Sequence, residues 1–292
     1  MINLIHTNYI GIKGNEGLTM EKPIAIRHED IALTATIHYP TNEGHCSERK
    51  MPLVVICHGF IGNRIGVDRL FLLASRQLAR QGFLVIRFDY AGCGESEGIY
   101  GENGLDSMIA QTRSVLDYGL SLDCIDPLRV TLLGHSLGGA VALLTGTKDR
   151  RVKSLALWSP VAHPFNDIVK IVGRGVYDET IKKGYSDYMG YPLKPEFFDS
   201  LQQHQPFQEA QKFHGDVFIA HGTSDDVIPA DYSFLLEKTF WLRGEGRCDK
   251  NIVFQADHTY SKGSHKGELF QSTLDWLASH EKRQQDWQHW SI

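Results

Sequence analysis

The chain has 292 residues, a formal net charge of −5 at pH 7, and 42% hydrophobic against 22% charged residues. That balance supports a sizeable buried core and excludes a largely disordered chain. Lys and Arg are scattered, so there is no electrostatic footprint for nucleic acid or anionic lipid, and the expected partner is a small molecule.

Residues 1–19 are polar and Gly-rich and a strand pattern begins at Pro23. Residues 1–22 therefore read as an N-terminal extension, with Met20 an alternative start. Residues 24–28 and 32–39 alternate apolar and polar side chains around His28-Glu29-Asp30, the pattern of an antiparallel hairpin at a sheet edge. An exposed edge at 31–37 would permit a homodimer by strand pairing. The runs LVVIC (53–57) and FLVIRF (83–88) flank a helical spacing of Leu70, Leu73, Ala74 and Leu78, which makes one βαβ unit. A helix over about 104–122 leads to a strand at 129–133, a second helix follows from 140, and SLALW (154–158) is the next strand.

After Pro160 the alternation stops. Residues 161–213 carry many aromatics, including Phe165, Tyr177, Tyr188, Phe197, Phe198 and Phe207, and read as an inserted cap. The alternation resumes with VFIA (217–220), a helix over 230–241, a strand at 252–255 and an amphipathic helix at 266–280; residues 281–292 read as a frayed polar tail. This order predicts an α/β core, 23–160 and 214–280, with about eight mostly parallel strands flanked by helices. Ligands of such sheets bind beyond the carboxyl ends of the strands.

Chemistry-bearing residues fall at those ends. GHSLGG (134–139) follows a strand and opens a helix. Small residues on both sides of the Ser let the strand turn abruptly, which makes Ser136 a candidate nucleophile and the Leu137 N–H a candidate oxyanion donor. The plain alternative is a Gly-rich packing turn, but a base and an acid occur in the order Ser, Asp, His. HGTSDDVIP (221–229) supplies the acid. Asp225 is favoured over Asp226 because such loops read H-G-x-x-D-x-x-(V/I)-P. His258, in ADHTY (256–260), follows the last strand and suits a general base; His135, His163, His221 and His265 are worse placed. The loop His58-Gly59-Phe60 after the first parallel strand offers the Phe60 N–H as a second oxyanion donor. The Gly-rich stretch 89–98 lacks the Lys of a phosphate loop and reads as a bordering loop.

Together these segments resemble the α/β-hydrolase superfamily over about 23–280. HGF at 58–60, RFDYAGCGESEG at 87–98, GHSLGG, HGTSDDVIP and ADHTY are most similar to small bacterial esterases of the feruloyl or cinnamoyl type. Such enzymes cleave hydroxycinnamate esters and many short-chain esters. The resemblance implies a triad of Ser136, Asp225 and His258, an oxyanion hole at Phe60 and Leu137, and an acyl pocket under the cap. His135, Asp167, Tyr185 and Tyr260 are candidate substrate-binding residues. The expected reaction is acyl transfer from a small-molecule ester to water, with no metal or organic cofactor. Thioesterase, peptidase and acyltransferase chemistry use the same triad, and a binding protein on this scaffold is the non-enzymatic alternative. The five cysteines (Cys46, Cys57, Cys93, Cys124, Cys248) form no C-x-x-C pair, and neither a signal segment nor an apolar membrane span is visible, so the expected location is the cytoplasm.

Overall fold

Continuous apolar runs become strands buried on both faces. In the computed structural model, which describes residues 20–40, 50–102 and 104–288, β3 (Met51–Cys57), β4 (Leu84–Phe88) and β6 (Ser154–Trp158) are buried at every position. Side chains alternate across the sheet: Leu53, Val55 and Cys57 enter one core, and Val54 and Ile56 the other. Helices α1 (Leu70–Arg80) and α9 (Gly263–Gln288) pack on the Val54 side. Helices α2 (Leu105–Leu120), α3 (Leu137–Lys148) and α8 (Asp231–Trp241) pack on the other.

With β1 (Met20–His28), β2 (Ile31–Tyr39), β5 (Ile125–His135), β9 (Asp216–Gly222) and β10 (Cys248–Val253), one eight-stranded sheet forms in the order β1-β2-β4-β3-β5-β6-β9-β10. Strands β4 through β10 in that order run parallel, and the β1–β2 and β2–β4 pairs are antiparallel. This is the expected α/β-hydrolase arrangement. It places the ends of β3, β5, β9 and β10, and the loops after them, along one rim.

The cap comprises α4 (Pro164–Val172), α5 (Arg174–Lys183), a hairpin of β7 (Ser186–Tyr188) and β8 (Tyr191–Leu193), α6 (Pro195–Gln202) and α7 (Pro206–Glu209). Three of its helices begin with Pro, whose missing N–H is no loss in a first turn. Its aromatics pack in series: Phe165 on Tyr177, Tyr177 on Phe198, Phe198 on Phe197, and Phe197 on Phe60 and Tyr100. The cap's interior is thereby continuous with the loop after β3.

Several boundaries differ from those read in the sequence. Strand β2 is paired on both sides, so 31–37 is not an edge; β1 is, and it begins at Met20 rather than Pro23. Pairing with Met51 draws β5 back to Ile125. Strand β10 starts at Cys248 and stops at Val253, because Gln255 turns with φ 58° and leaves Phe254 outside the ladder. The supposed tail continues α9 to Gln288. Glu281 is buried against Arg129, and Arg283 Nη2 lies 3.0 Å from Asp216 Oδ2. A polar composition concealed these long-range ion pairs. Residues 1–19, Cys46 and residues 289–292 lie outside the described residues. Among the described residues no helix is long and apolar enough to cross a membrane, and no group of three or more His, Cys, Asp or Glu is placed to hold a metal ion.

Candidate active site

Ser136 sits between β5 and α3 at φ 58° and ψ −124°, a strained backbone state for a residue with a Cβ, costing about 1–3 kcal/mol. Surrounding bonds enforce it. The Ser136 N–H donates to the Trp158 carbonyl at 2.9 Å, and its own carbonyl accepts from Gly139 and Val161 at 2.9 and 3.0 Å. The flanking glycines are required by space: a Cβ on Gly134 would lie 2.2 Å from the Gly138 oxygen, and one on Gly138 2.1 Å from the Cys57 oxygen. That close approach brings the N-terminus of α3 against the loop after β3.

Neither the Phe60 N–H nor the Leu137 N–H makes a hydrogen bond among the described residues. Leu137 is the first residue of α3, where amides have no intrahelical acceptor. The Phe60 loop is fixed from beneath by His58, whose Nε2 accepts from the Tyr90 N–H at 3.0 Å while Nδ1 faces the Gly59 carbonyl at 2.9 Å. The Tyr100 hydroxyl accepts from the Ile61 N–H at 3.3 Å. The stretch 89–98 braces the same loop. Asp89 and Glu95 both bind the Arg64 guanidinium, and Asp89 Oδ2 also accepts from the Glu95 N–H at 3.0 Å.

The loops that carry Asp225 and His258 are tied to each other. The Thr223 N–H donates to the Val253 carbonyl at 3.0 Å, Ser224 N–H to the Ala256 carbonyl at 2.9 Å, and Gln255 N–H to Thr223 Oγ1 at 2.8 Å. Asp225 Oδ2 thereby meets His258 Nδ1 at 2.8 Å, and its side chain is fully buried. Oδ1 accepts the Val227 and Ile228 amides at 3.0 and 2.8 Å. Burial opposes ionisation, but the bonds from His221, His258 and the Ile228 amide prevail and hold the Asp225 carboxyl well below the usual carboxylate range. An ionised acceptor at Nδ1 keeps a proton there and leaves His258 Nε2 to receive one. Asp226 is exposed.

His135 joins Ser136 to the base loop: its Nε2–H donates to the His258 carbonyl at 2.8 Å, and the two rings lie 4.8 Å apart. Ser136 Oγ makes no hydrogen bond among the described residues, as is common before substrate arrives. Of the candidate pocket residues, His135 is thus an internal brace. Tyr260 is fully buried, with its hydroxyl 3.2 Å from Ser159 Oγ, and belongs to the core. Tyr185 is 61% exposed on the outside of the cap. Asp167 alone sits in a polar niche of the cap. It is 5% exposed and accepts from the His163 N–H at 3.1 Å and the Tyr232 hydroxyl at 2.9 Å, and burial raises its pKa. The rings of His163 and Tyr232, whose polar groups hold it, cluster with that of Phe207, with centroids 5.1 to 5.8 Å apart. Sequence reasoning missed Tyr232; the only signal for it is an aromatic in the first turn after the acid loop.

Three histidines are held neutral by burial. Desolvation brings His58 down to about 4, and His135 and His38 to about 3, with the nearby Arg87 adding to the shift at His38. Each takes a proton more readily unfolded than folded. Their contribution is therefore complete above the ordinary pKa of about 6.5 and is lost as pH falls toward the folded values, at up to about 1.4 kcal/mol per histidine per pH unit. The urea midpoint, followed by far-UV circular dichroism, is expected to drop steeply between about pH 6.5 and 4. A flat midpoint across that window would mean that these imidazoles are solvated.

A family model described as the alpha/beta hydrolase fold matches residues 52–180. The chain is 36% identical over 244 residues to the uncharacterised protein YfhR of Salmonella typhi, an alignment covering 78% of this chain and 71% of YfhR. It is 35% identical over 127 residues to an uncharacterised 31.7 kDa protein of Escherichia coli, covering 44% of this chain and spanning 41% of that protein's length. Est1E of Butyrivibrio proteoclasticus, solved with ferulic acid bound, superposes with a TM-score of 0.76 over 89% of this chain and 99% of Est1E at 22% identity, a likeness of fold. With the family model on the strands that carry the elbow, and YfhR matched over most of both lengths, the chain belongs to the α/β-hydrolase family.

Proposed function

We propose that this protein is a serine carboxylic-ester hydrolase whose cap favours planar hydroxyaryl acyl groups of the hydroxycinnamoyl type. The observation that carries the reading is the buried Asp225–His258 pair, held by His135 beside Ser136, whose backbone is strained and whose hydroxyl makes no hydrogen bond among the described residues. His258 Nε2 takes the Ser136 proton as Oγ bonds to the ester carbonyl carbon. The carbonyl π electrons move to oxygen, where the Phe60 and Leu137 amides hold the charge. Collapse expels the alcohol, which takes the proton from His258 and leaves an acyl-serine. Water then attacks in the same manner, gives a proton to His258, and releases the acid as that proton returns to Ser136.

Support for the acyl preference comes from the Asp167 niche. Residues 159–163 run from β6 past Ser136, through the Val161 amide bond to the Ser136 carbonyl, and deliver His163 and then α4. Tyr232 reaches the same carboxylate from the first turn of α8. A buried carboxylate among aromatic rings suits a phenolic hydroxyl, which donates one hydrogen bond from a flat ring. The ferulic acid held by Est1E has that chemistry.

Hydrolysis of methyl ferulate, methyl p-coumarate, p-nitrophenyl acetate, an acyl thioester and a peptide anilide tests the reading. Asp167→Ala is expected to lower kcat/KM for methyl ferulate by about 10-fold or more, as for loss of a hydrogen bond to a charged group, and to change p-nitrophenyl acetate hydrolysis much less. Equal losses on both esters would make Asp167 a structural group. A wild-type preference for the thioester or anilide would overturn the ester assignment while leaving the triad.

A further inference from the structure

Asp225 Oδ2 faces two imidazoles. Besides His258 Nδ1 at 2.8 Å, His221 Nε2 approaches the same oxygen at 3.1 Å. His221 lies in β9 four residues before the acid and is fully buried. Its protonation is fixed by its neighbours. Nε2 also faces the Ile228 carbonyl at 3.1 Å, and a carbonyl can only accept, so Nε2 carries the proton. Nδ1 is hydrogen-bonded to Ser233 Oγ, 2.5 Å away in the first turn of α8. An imidazole N–H thus shares the oxygen that orients the base.

The geometry points to His221 as a positioning residue, which fixes the rotation of the Asp225 carboxylate and shares its charge so that Oδ2 aims at His258 Nδ1. The assignment rests on His258 acting as the general base proposed above. The amides of Val227 and Ile228 hold only Oδ1. Without His221, Oδ2 would be held by His258 alone, and the carboxylate could swing about the Oδ1 anchor. Ser233 is adjacent to Tyr232, which binds Asp167 in the cap. One helical turn therefore carries both the support of the catalytic acid and a wall of the acyl niche.

His221→Met fills comparable space without a donor, whereas His221→Gln places an amide N–H near the lost Nε2–H. The titratable groups around His258 are Asp225 on its Nδ1, His221 beyond that carboxylate, His135 from the Ser136 turn, and Asp257 next to it in the chain. Of these, only His221 is altered. Removing its donor changes how the carboxylate charge falls on His258, so the pH dependence of that imidazole reads out the positioning directly. In the Met variant we expect kcat on p-nitrophenyl acetate to fall about 10- to 100-fold, the cost of a small misplacement, with KM little changed. The acid limb of kcat/KM should move by half a pH unit or more, and Gln should recover most of both effects. The His258 ring protons, followed by NMR against pH, report the same shift without turnover. If the Met variant titrates and turns over like wild type, or if Gln and Met lose equally, His221 is packing and the inference fails. If no ester is cleaved by wild type but the NMR titration shifts in Met and returns in Gln, the positioning role stands and the ester reading fails.

Discussion

Replacing Ser136 by Ala is expected to lower kcat on any ester the protein cleaves by about 10⁴-fold or more, the scale on which triad nucleophiles fail when removed. Thermal stability should be untouched. The Ser136 hydroxyl makes no hydrogen bond among the described residues, so its removal leaves no buried partner unsatisfied. Ala retains a Cβ and therefore the same backbone strain at φ 58°. The bonds that hold the elbow, from the Ser136 amide to the Trp158 carbonyl and from Gly139 and Val161 to the Ser136 carbonyl, are all main chain and survive. Kinetics on p-nitrophenyl acetate, a melting curve, and labelling by a fluorophosphonate make the check. A folded Ala variant retaining more than about 1% of wild-type kcat would remove Ser136 from the chemistry, since nucleophile loss should cost far more than that.

What was legible in the sequence were features enforced over a few residues. The elbow is one: the backbone approach at Gly138 admits no side chain, so the requirement is written into GHSLGG itself. Strands β3, β4 and β6 are another, since burial on both faces demands unbroken apolar runs. The fold class followed from their alternation with helices. Features set by distant partners were less visible. The start of β5 depends on Met51, the length of α9 on Arg129 and Asp216, and the internal position of β2 on β4. The same division holds at the site. Asp225 and His258 could be read from their loops, whereas the second imidazole on Asp225 depends on the turn that swings the acid back over the end of β9. His221 accordingly stands out in the sequence only as a worse-placed alternative to His258. Tyr185 and Asp167 are both polar residues in an aromatic segment; only the packing of α4 against α8 buries one while the other stays on the surface.

Asp225→Asn is expected to reduce kcat about 10⁴-fold, with KM nearly unchanged, although Asn is nearly isosteric with Asp. The direction follows from the two sides of the carboxylate. Oδ1 accepts the Val227 and Ile228 amides, two main-chain donors that cannot reverse. An Asn at this position must turn its carbonyl oxygen toward them and its NH₂ toward His258 and His221. His258 Nδ1 then faces a donor and has to become the acceptor, which places the ring proton on Nε2, the nitrogen that should receive the Ser136 proton. The base is present but in the wrong tautomer. His221 cannot adjust in compensation, because the Ile228 carbonyl holds its proton on Nε2 as well. The Asn variant therefore also sets two donors against each other in a site that is fully buried, and its melting temperature should fall where that of Ser136→Ala does not. Steady-state kinetics with p-nitrophenyl acetate, read beside the melting curves of both variants, provide the check. An Asp225→Asn variant with kcat within about 10-fold of wild type would mean that Asp225 does not set the tautomer of His258, a role whose loss should cost about 10⁴.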